Sequence, residues 1–284
     1  MTEKARAVCV IGWPVEHSRS PLIHNYWLKQ YGIVGEYRRE AVRPEEFAAF
    51  IESLAERGYV GANVTVPHKE AALALSQPDD RARAVGAANT LWFDGALRST
   101  NTDVEGFLHN LDASAADWQR DLSKAVVLGA GGAARAVIYG LRERGIAQIV
   151  VANRTRERAE ALCRQFGARV AVSDWNDIKH ALGDAALLVN TTTLGMHGQP
   201  SLAVDLAPLP RHATVADLVY VPIETPLLTQ AKASGLRTAD GLGMLLHQAV
   251  HGFALWFGIT PAVTSELRAL LEADLGAAQR KRPG

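Results

Sequence analysis

A lysine, an aspartate, an asparagine and two paired serines occupy positions in this chain where they contribute nothing to a core. Asn63-Val64-Thr65-Val66-Pro67-His68-Lys69-Glu70 reads as a strand that runs into a lysine. Strand alternation puts Asn63 and Thr65 on one face, and Pro67 ends the strand. Lys69 then emerges beyond the carboxyl end, the usual ligand edge of an open α/β sheet. Gly86-Ala87-Ala88-Asn89-Thr90 and Asn101-Thr102-Asp103 face each other across an expected hairpin, which places Asp103 to partner Lys69 and a hydroxyl of a bound small molecule. An ammonium so placed can exchange a proton or hold developing negative charge. A free lysine titrates near ~10.4; burial would lower that value and Asp103 would raise it, so both roles stay open.

Gly12-Trp13-Pro14-Val15-Glu16-His17-Ser18-Arg19-Ser20-Pro21 is a loop before a helix. Ser18 and Ser20 can bind a carboxylate without adding charge, although serines before a helix also serve as caps. Further on, Val126-Val127-Leu128-Gly129-Ala130-Gly131-Gly132-Ala133-Ala134 follows one expected strand and opens a helix. Gly129 can make the tight turn, Gly131 lets backbone approach a pyrophosphate, and Ala134 permits close helix–strand packing. The helix N-terminus offers N–H groups and partial positive charge to phosphates. At the end of the next strand, where NAD enzymes carry an acid, stand Asn153-Arg154-Thr155, then Arg156 and Arg158. An arginine pairs with a 2′-phosphate that a carboxylate would repel, so NADP(H) is the expected cofactor. Arg156 reads as a solvated surface charge.

Short β-like runs alternate with helical patterns, which argues for α/β architecture with mainly parallel strands. The expected elements begin with strand Ala7–Ile11, helix Leu22–Tyr31, strand Glu36–Ala41, helix Pro44–Arg57 and strand Ala62–Val66. A hairpin of Asn89–Phe93 and Ala96–Asn101 then turns at Asp94-Gly95, a dipeptide that accepts positive φ. Helix Val104–Leu111 is the expected connector, and the polar segment Asp112–Leu122 marks the neighbourhood of the domain change. Strand Ala125–Leu128, helix Ala133–Arg144 and strand Gln148–Ala152 follow, with further strands at Arg169–Val172, Ala186–Val189 and Thr214–Val219. The tail from Gly243 to about Leu275 reads as helical and packs back on the first domain. The expected partition is residues 1–104 with 241–284 as the substrate-binding, catalytic domain and residues 105–240 as a Rossmann-like NADP-binding domain.

The 284 residues exceed what one core comfortably serves. Thirty basic residues match thirty acidic ones. That balance argues against a general nucleic-acid or anionic-membrane binder, so any bound anion is held by local geometry. No apolar run approaches a bilayer span, and the apolar stretch Ala7–Ile11 is too brief for a signal-peptide core and has no small-residue cleavage site after it, which argues against export. Cys9 and Cys163 lie far apart without metal spacing, which points to reduced thiols in a cytoplasmic setting and to no reactive role. No Cys/His/carboxylate cluster has metal spacing. His17, His68 and His247 read as structural or peripheral. Partners are expected to be a small-molecule substrate only, with the chain a monomer or homodimer.

The ordered motifs together resemble the shikimate dehydrogenase family, nearly end to end. They include Gly12-Trp13-Pro14, His17-Ser18-Arg19-Ser20-Pro21, Asn63 to Lys69, Gly86 to Thr90 and Asn101-Thr102-Asp103. They continue through Gly129 to Ala133, Asn153-Arg154-Thr155, Asn190 to Met196, Asp217 to Pro222, Thr225 to Leu228 and Asp240 to Gln248. The resemblance implies reduction of 3-dehydroshikimate to shikimate with NADPH. It implies that Ser18 and Ser20 hold the substrate carboxylate, that Thr65, Asn89, Asp103, Tyr220 and Gln248 contact or shape the pocket for ring hydroxyls, and that Lys69 transfers the proton. Gly129, Ala130, Gly131, Gly132, Ala133, Asn153, Arg154, Thr155 and Arg158 would bind the cofactor. Leu218, Gly241 and Met244 would flank the nicotinamide, with Asp80 a further cofactor-side candidate. Ala88, Val104, Thr191, Thr193 and Val221 depart from the family's commoner residues, which leaves the ring variant open. Rival readings are an NAD-using quinate/shikimate or aminoshikimate dehydrogenase, a non-catalytic NADP-binding sensor and a folate-pathway dehydrogenase. Arg154 argues against the first, retention of Lys69 and Asp103 against the second, and the Ser-x-Ser loop against the third.

Overall fold

A computed structural model describes residues 6–280. The polar start, Met1 to Ala5, lies outside the described residues. The first elements are β1 (Arg6–Gly12), α1 (Ser20–Gln30), β2 (Gly35–Ala41), α2 (Phe47–Glu52), β3 (Tyr59–Val64), α3 (Lys69–Ala74), β4 (Gln77–Pro78), α4 (Asp80–Val85), β5 (Thr90–Asp94) and β6 (Ala96–Thr100). Their sheet has the order β2-β1-β3-β5-β6-β4. β1 is parallel to both β2 and β3, and β4 is parallel to β6. The β5–β6 hairpin runs antiparallel, its turn made by Gly95 at φ 69°. Its register sets polar residues side by side: Thr90 pairs with Asn63 on one strand and Thr100 on the other. Beneath it, Cys9, Ile11, Phe47, Leu54, Ala62, Val64 and Leu91 share one core.

α5 (Asp103–Ser114) leads to β7 (Lys124–Leu128), α6 (Gly132–Glu143), β8 (Gln148–Ala152), α7 (Arg156–Phe166), β9 (Val170–Ser173), α8 (Ile178–Leu182), β10 (Leu187–Asn190), β11 (Thr214–Asp217), α9 (Pro226–Ala233) and β12 (Arg237–Ala239). These strands form a second sheet in the order β12-β11-β10-β7-β8-β9, every pairing parallel. This is the doubly wound arrangement of a Rossmann domain, whose strand order reverses beside β7. Its strands are buried on both faces and therefore read as apolar runs, as Val126, Val127 and Leu128 do. The chain closes with α10 (Gly241–Phe257) and α11 (Ser265–Arg280).

The chain divides into two compact units, one comprising the residues up to Asp103 together with those from Gln248 onward, the other Val104–His247. Within the first, the chain's last helices cover the sheet. The Trp256 indole lies against Gly61, where any Cβ would collide with it, and its Nε1 donates to Leu91 O at 2.8 Å. Leu267, Leu271 and Leu275 form the buried stripe of α11 at helical spacing. At ~1.5–3 kcal/mol each, burial of those leucines fixes the helix far more firmly than its exposed ion pairs do.

Several expected elements change form, among them the strand expected over Thr214–Val219, which stops at Asp217. The tail is broken rather than continuous, because Gly258 takes φ 77° after α10 and Pro261 follows. Pro44–Arg57 yields a tight turn and only the short α2, since the Ser53 hydroxyl bonds back to the carbonyls of Ala49 and Phe50 where the helix stops. The third strand runs Tyr59–Val64 instead of reaching Val66, with Pro67 unable to donate to a ladder. The polar segment after α5 is tied into the second unit: Asp112 accepts from Trp118 Nε1 at 2.9 Å and pairs with Arg144 at 2.6 Å.

Candidate active site

In the first unit, Lys69 opens α3 just past the end of β3, and Asp103 opens α5 just past β6. Lys69 Nζ stands 2.5 Å from Asp103 Oδ2, with side chains 15% and 8% exposed. Asp103 is held on every side. Its N–H donates to Asn101 Oδ1 at 3.1 Å, while Asn101 anchors itself on Ala87 O at 2.9 Å. Its other carboxylate oxygen accepts from Asn89 Nδ2 at 2.9 Å. Removing either partner would strand the other's charge in a largely dry place.

Asn89 is the hub of this site. Its Oδ1 accepts from the Thr102 N–H at 2.7 Å, and its Nδ2 reaches Thr102 Oγ1 at 3.0 Å and Gln248 Oε1 at 3.5 Å. Gln248, from α10, therefore joins Asn89, Asp103 and Lys69. Thr65 sits just beyond β3, half-buried, its N–H donating to Ile11 O at 2.9 Å, and its methyl occupies the space a Cβ on Gly12 would need.

Ser18 and Ser20 frame the start of α1. Ser18 Oγ accepts from the Ser20 N–H at 3.3 Å, which leaves the hydroxyl proton of Ser18 free to donate outward. Part of the capping role is thus present, though Arg19 rather than a serine is the N-cap. Ser20 is buried and in hydrogen-bond contact with the Tyr37 phenol. Tyr37 Oη donates to Asn63 Oδ1 at 2.6 Å, and Asn63 Nδ2 donates to Thr90 Oγ1 at 3.0 Å and Asn89 O at 3.2 Å. Burial pushes the Tyr37 phenol well above its usual range, so it stays a donor. A continuous buried polar chain therefore runs from the serine loop to the Lys69–Asp103 pair. Neither Tyr37 nor Asn63 stood among the expected site residues, because a tyrosine in a strand gives no local signal of its partner.

His68 is structural: its ring stacks on Phe47 at 4.3 Å and its Nε2 meets Val42 O at 2.7 Å. His247 lies edge-on to His109 in the second unit. Cys9 is fully buried, and desolvation pushes its thiol well up. Asp80 is exposed on α4 beside Arg83.

In the second unit, Gly129 takes φ 107° at the end of β7, and a Cβ there would come within 2.5 Å of Thr191 Oγ1. That hydroxyl is committed to Leu128 O at 2.7 Å, so the turn admits only glycine. Ala130 follows it; Gly131 is the extended N-cap of α6, with open space where its side chain would be, and Gly132 and Ala133 form the first turn. Ala134 is fully buried beneath. This is the cradle a pyrophosphate needs: bare backbone facing outward at a helix start.

Beyond β8, Asn153 Nδ2 donates to Thr155 O at 2.8 Å and shapes the turn into α7. Arg156 is occupied by Glu160 at 2.9 Å and by Asp174. Arg154 and Arg158 are exposed and make no ion pair among the described residues. Two cations outside any ion pair, with Asn153 rather than an acid just past the second strand, could hold a 2′-phosphate. Leu218 donates its N–H to Asn190 O at 3.0 Å, and Gly241 approaches the Leu218 carbonyl so closely that a Cβ would lie 2.4 Å from its oxygen. Met244 is buried one turn along α10, and Tyr220 is half-buried after β11. Asp217 organises this end: it accepts from Asn190 Nδ2 at 2.9 Å, the Val219 N–H at 3.0 Å and Thr225 Oγ1 at 2.7 Å. Burial nevertheless raises its carboxyl. The Asp217–Thr225–Asn190 network was not expected to matter; its members lie in separate motifs that only the sheet brings together.

No helix among the described residues is long and apolar enough to cross a membrane, and no metal-binding cluster occurs among them. Three family models match the chain: "Shikimate dehydrogenase substrate binding domain" over residues 10–91, "Shikimate / quinate 5-dehydrogenase" over 113–197, and "Shikimate 5'-dehydrogenase C-terminal domain" over 241–271. A protein of Rhodopseudomonas palustris (strain HaA2) named shikimate dehydrogenase (NADP(+)) is 68% identical over 272 residues, covering 95% of this chain and 97% of its own. Among solved structures, shikimate 5-dehydrogenase from Thermus thermophilus in complex with NADP(H) and shikimate is 36% identical with a TM-score of 0.82, covering 96% of this chain and 99% of its own. Quinate dehydrogenase from Corynebacterium glutamicum in complex with NAD is 32% identical with a TM-score of 0.87, covering 95% and 99%.

Proposed function

The chain belongs to the shikimate dehydrogenase family, and on that premise we propose that it interconverts 3-dehydroshikimate and shikimate with NADP(H). The observation that carries the reading is the part-buried Lys69–Asp103 pair, held by Asn89 at the ligand edge of the first unit's sheet. Ser18 and Ser20 hold the ring carboxylate through hydroxyls; Thr65, Asn89, Tyr220 and Gln248 receive the ring hydroxyls. Lys69 gives a proton to the carbonyl oxygen during reduction and takes it back during oxidation, while Asp103 fixes the ammonium and contacts a ring hydroxyl.

The dinucleotide, when bound, supplies the hydride in one direction and accepts it in the other. Residues Gly129 to Ala133 fit its pyrophosphate, Asn153, Thr155, Arg154 and Arg158 fit the phosphorylated ribose, and Leu218, Gly241 and Met244 border the nicotinamide. A cytoplasmic small-molecule enzyme, monomer or homodimer, without nucleic-acid or membrane partners, completes the proposal.

The test is dinucleotide reduction, followed by near-ultraviolet absorbance, with shikimate and with quinate, each against NADP+ and NAD+. Turnover of shikimate with NADP+ well above the other combinations is expected. Faster turnover of quinate with NAD+ would replace this reading with the quinate one, and inertness toward both rings would remove it.

A further inference from the structure

Ser20 is placed by α1, but Ser18 lies before the helix without regular structure of its own, so something else must set where its hydroxyl sits. A carboxylate held by neutral hydroxyls gains little unless those groups are already in place, because ordering them on binding consumes the gain. We propose that Arg39 on the edge strand β2 and Asp274 on the last helix α11 are positioning residues that lock the Ser18–Ser20 loop from behind. The inference deepens the reading of that loop given above and rests on it.

Arg39 acts on Ser18. Strand alternation places Tyr37 and Arg39 on the same face of β2. The backbone of β2 is pinned at its open edge to α1 by Asn25, whose Oδ1 accepts from the Tyr37 N–H at 2.9 Å and whose Nδ2 donates to Tyr37 O at 3.0 Å. From this anchored strand the Arg39 guanidinium sends Nε and one terminal nitrogen onto Ser18 O, at 3.0 and 2.7 Å. A planar fork gripping one carbonyl fixes that peptide's orientation, which a single-point ammonium cannot do.

Asp274 acts on the residue between the serines. The Arg19 side chain is only 16% exposed, and its Nε lies 2.5 Å from Asp274 Oδ2, close but not aligned as a hydrogen bond. A terminal nitrogen of Arg19 donates to His17 O at 3.2 Å, closing the loop on itself. Asp274 sits on α11 between the buried Leu271 and Leu275, so its register is set by the core. Arg19, Asn25, Arg39 and Asp274 line one shallow pocket on this face.

The experiment compares Arg39→Ala, Arg39→Lys and Asp274→Ala with the wild type in shikimate oxidation, measuring KM for shikimate, KM for NADP+, kcat and thermal midpoint. Positioning predicts a rise in shikimate KM of about tenfold for Arg39→Ala and about threefold for Asp274→Ala, with NADP+ KM and kcat within about twofold. Arg39→Lys should recover only part of the loss, because it restores charge but not the fork. Full recovery by lysine would mean that charge alone matters, and would overturn the proposal. So would a wild-type shikimate KM in Arg39→Ala, or equal rises in both KM values. Should Arg39→Ala fail to fold, Arg39→Lys and Asp274→Ala carry the same comparison. A wild type inert on shikimate would instead overturn the functional reading itself.

Discussion

Asp103 divides its two carboxylate oxygens between different partners: Oδ2 lies 2.5 Å from the Lys69 ammonium and Oδ1 accepts from Asn89 Nδ2 at 2.9 Å. The aspartate thus couples Lys69 to the hub that also gathers Thr102 and Gln248. Lys69→Ala removes a contact needed mainly as charge develops on the reacting oxygen. Its kcat should fall by roughly 10²–10⁴, with KM for shikimate changing far less. Steady-state kinetics in both directions checks this, and small equal losses in kcat and kcat/KM would count against the assigned role.

Ser18 presents a hydroxyl whose oxygen is already engaged by the Ser20 N–H. Ser18→Ala should therefore remove one donor to a charged group, worth ~1.5–3 kcal/mol, or about ten- to a hundredfold in shikimate KM. Because a carboxylate is bound alike in ground and transition states, kcat should move little. Unchanged shikimate KM in the variant would take Ser18 out of the site.

Legibility in the sequence followed the range of the interactions involved. β8 has the bounds its apolar run predicts, Gln148–Ala152, and the Asp94-Gly95 turn forms the hairpin its residues demand. The strongly polar α7 shows in sequence only as a helix-like run around Cys163 without clear bounds, since its buried apolar anchors are few: Ala159, Leu162 and Phe166. The strand Arg237–Ala239 is too short for alternation to register, and it exists because β11 supplies a parallel neighbour. At the site, motif residues announce themselves by being polar beside a strand end. Tyr37 does not: its bond to Asn63 depends on β1 lying between their strands. Arg39 and Asp274 are equally mute in sequence, looking like ordinary surface charges until the fold brings them to the serine loop.

In the proposed reading, cofactor choice rests on Arg154 and Arg158, which are exposed and make no ion pair among the described residues, whereas Arg156 is taken by Glu160 and Asp174. Arg154→Ala should raise KM for NADP+ by about tenfold or more while leaving the weaker NAD+ activity nearly unchanged. Arg156→Ala should affect neither cofactor beyond about twofold, since it removes only exposed ion pairs. Parallel loss with both dinucleotides in Arg154→Ala would indicate a structural role instead.

His24 gives the fold an acid-sensitive point. Its ring stacks on Tyr37 at 4.2 Å and packs near Trp27, Phe253 and Trp256, with neither nitrogen hydrogen-bonded. Complete burial lowers its pKa from 6.5 to about 3. Between those values the unfolded chain takes up a proton that the folded one refuses, so stability falls as pH falls and is unaffected by this group above 6.5. The expected slope is about 1.4 kcal/mol per pH unit from this residue alone. His24→Phe keeps an aromatic ring in the stack and removes the titration. Thermal midpoints measured from neutral pH down to about pH 5 should drop less steeply in the variant than in the wild type, and parallel slopes would show that acid sensitivity arises elsewhere.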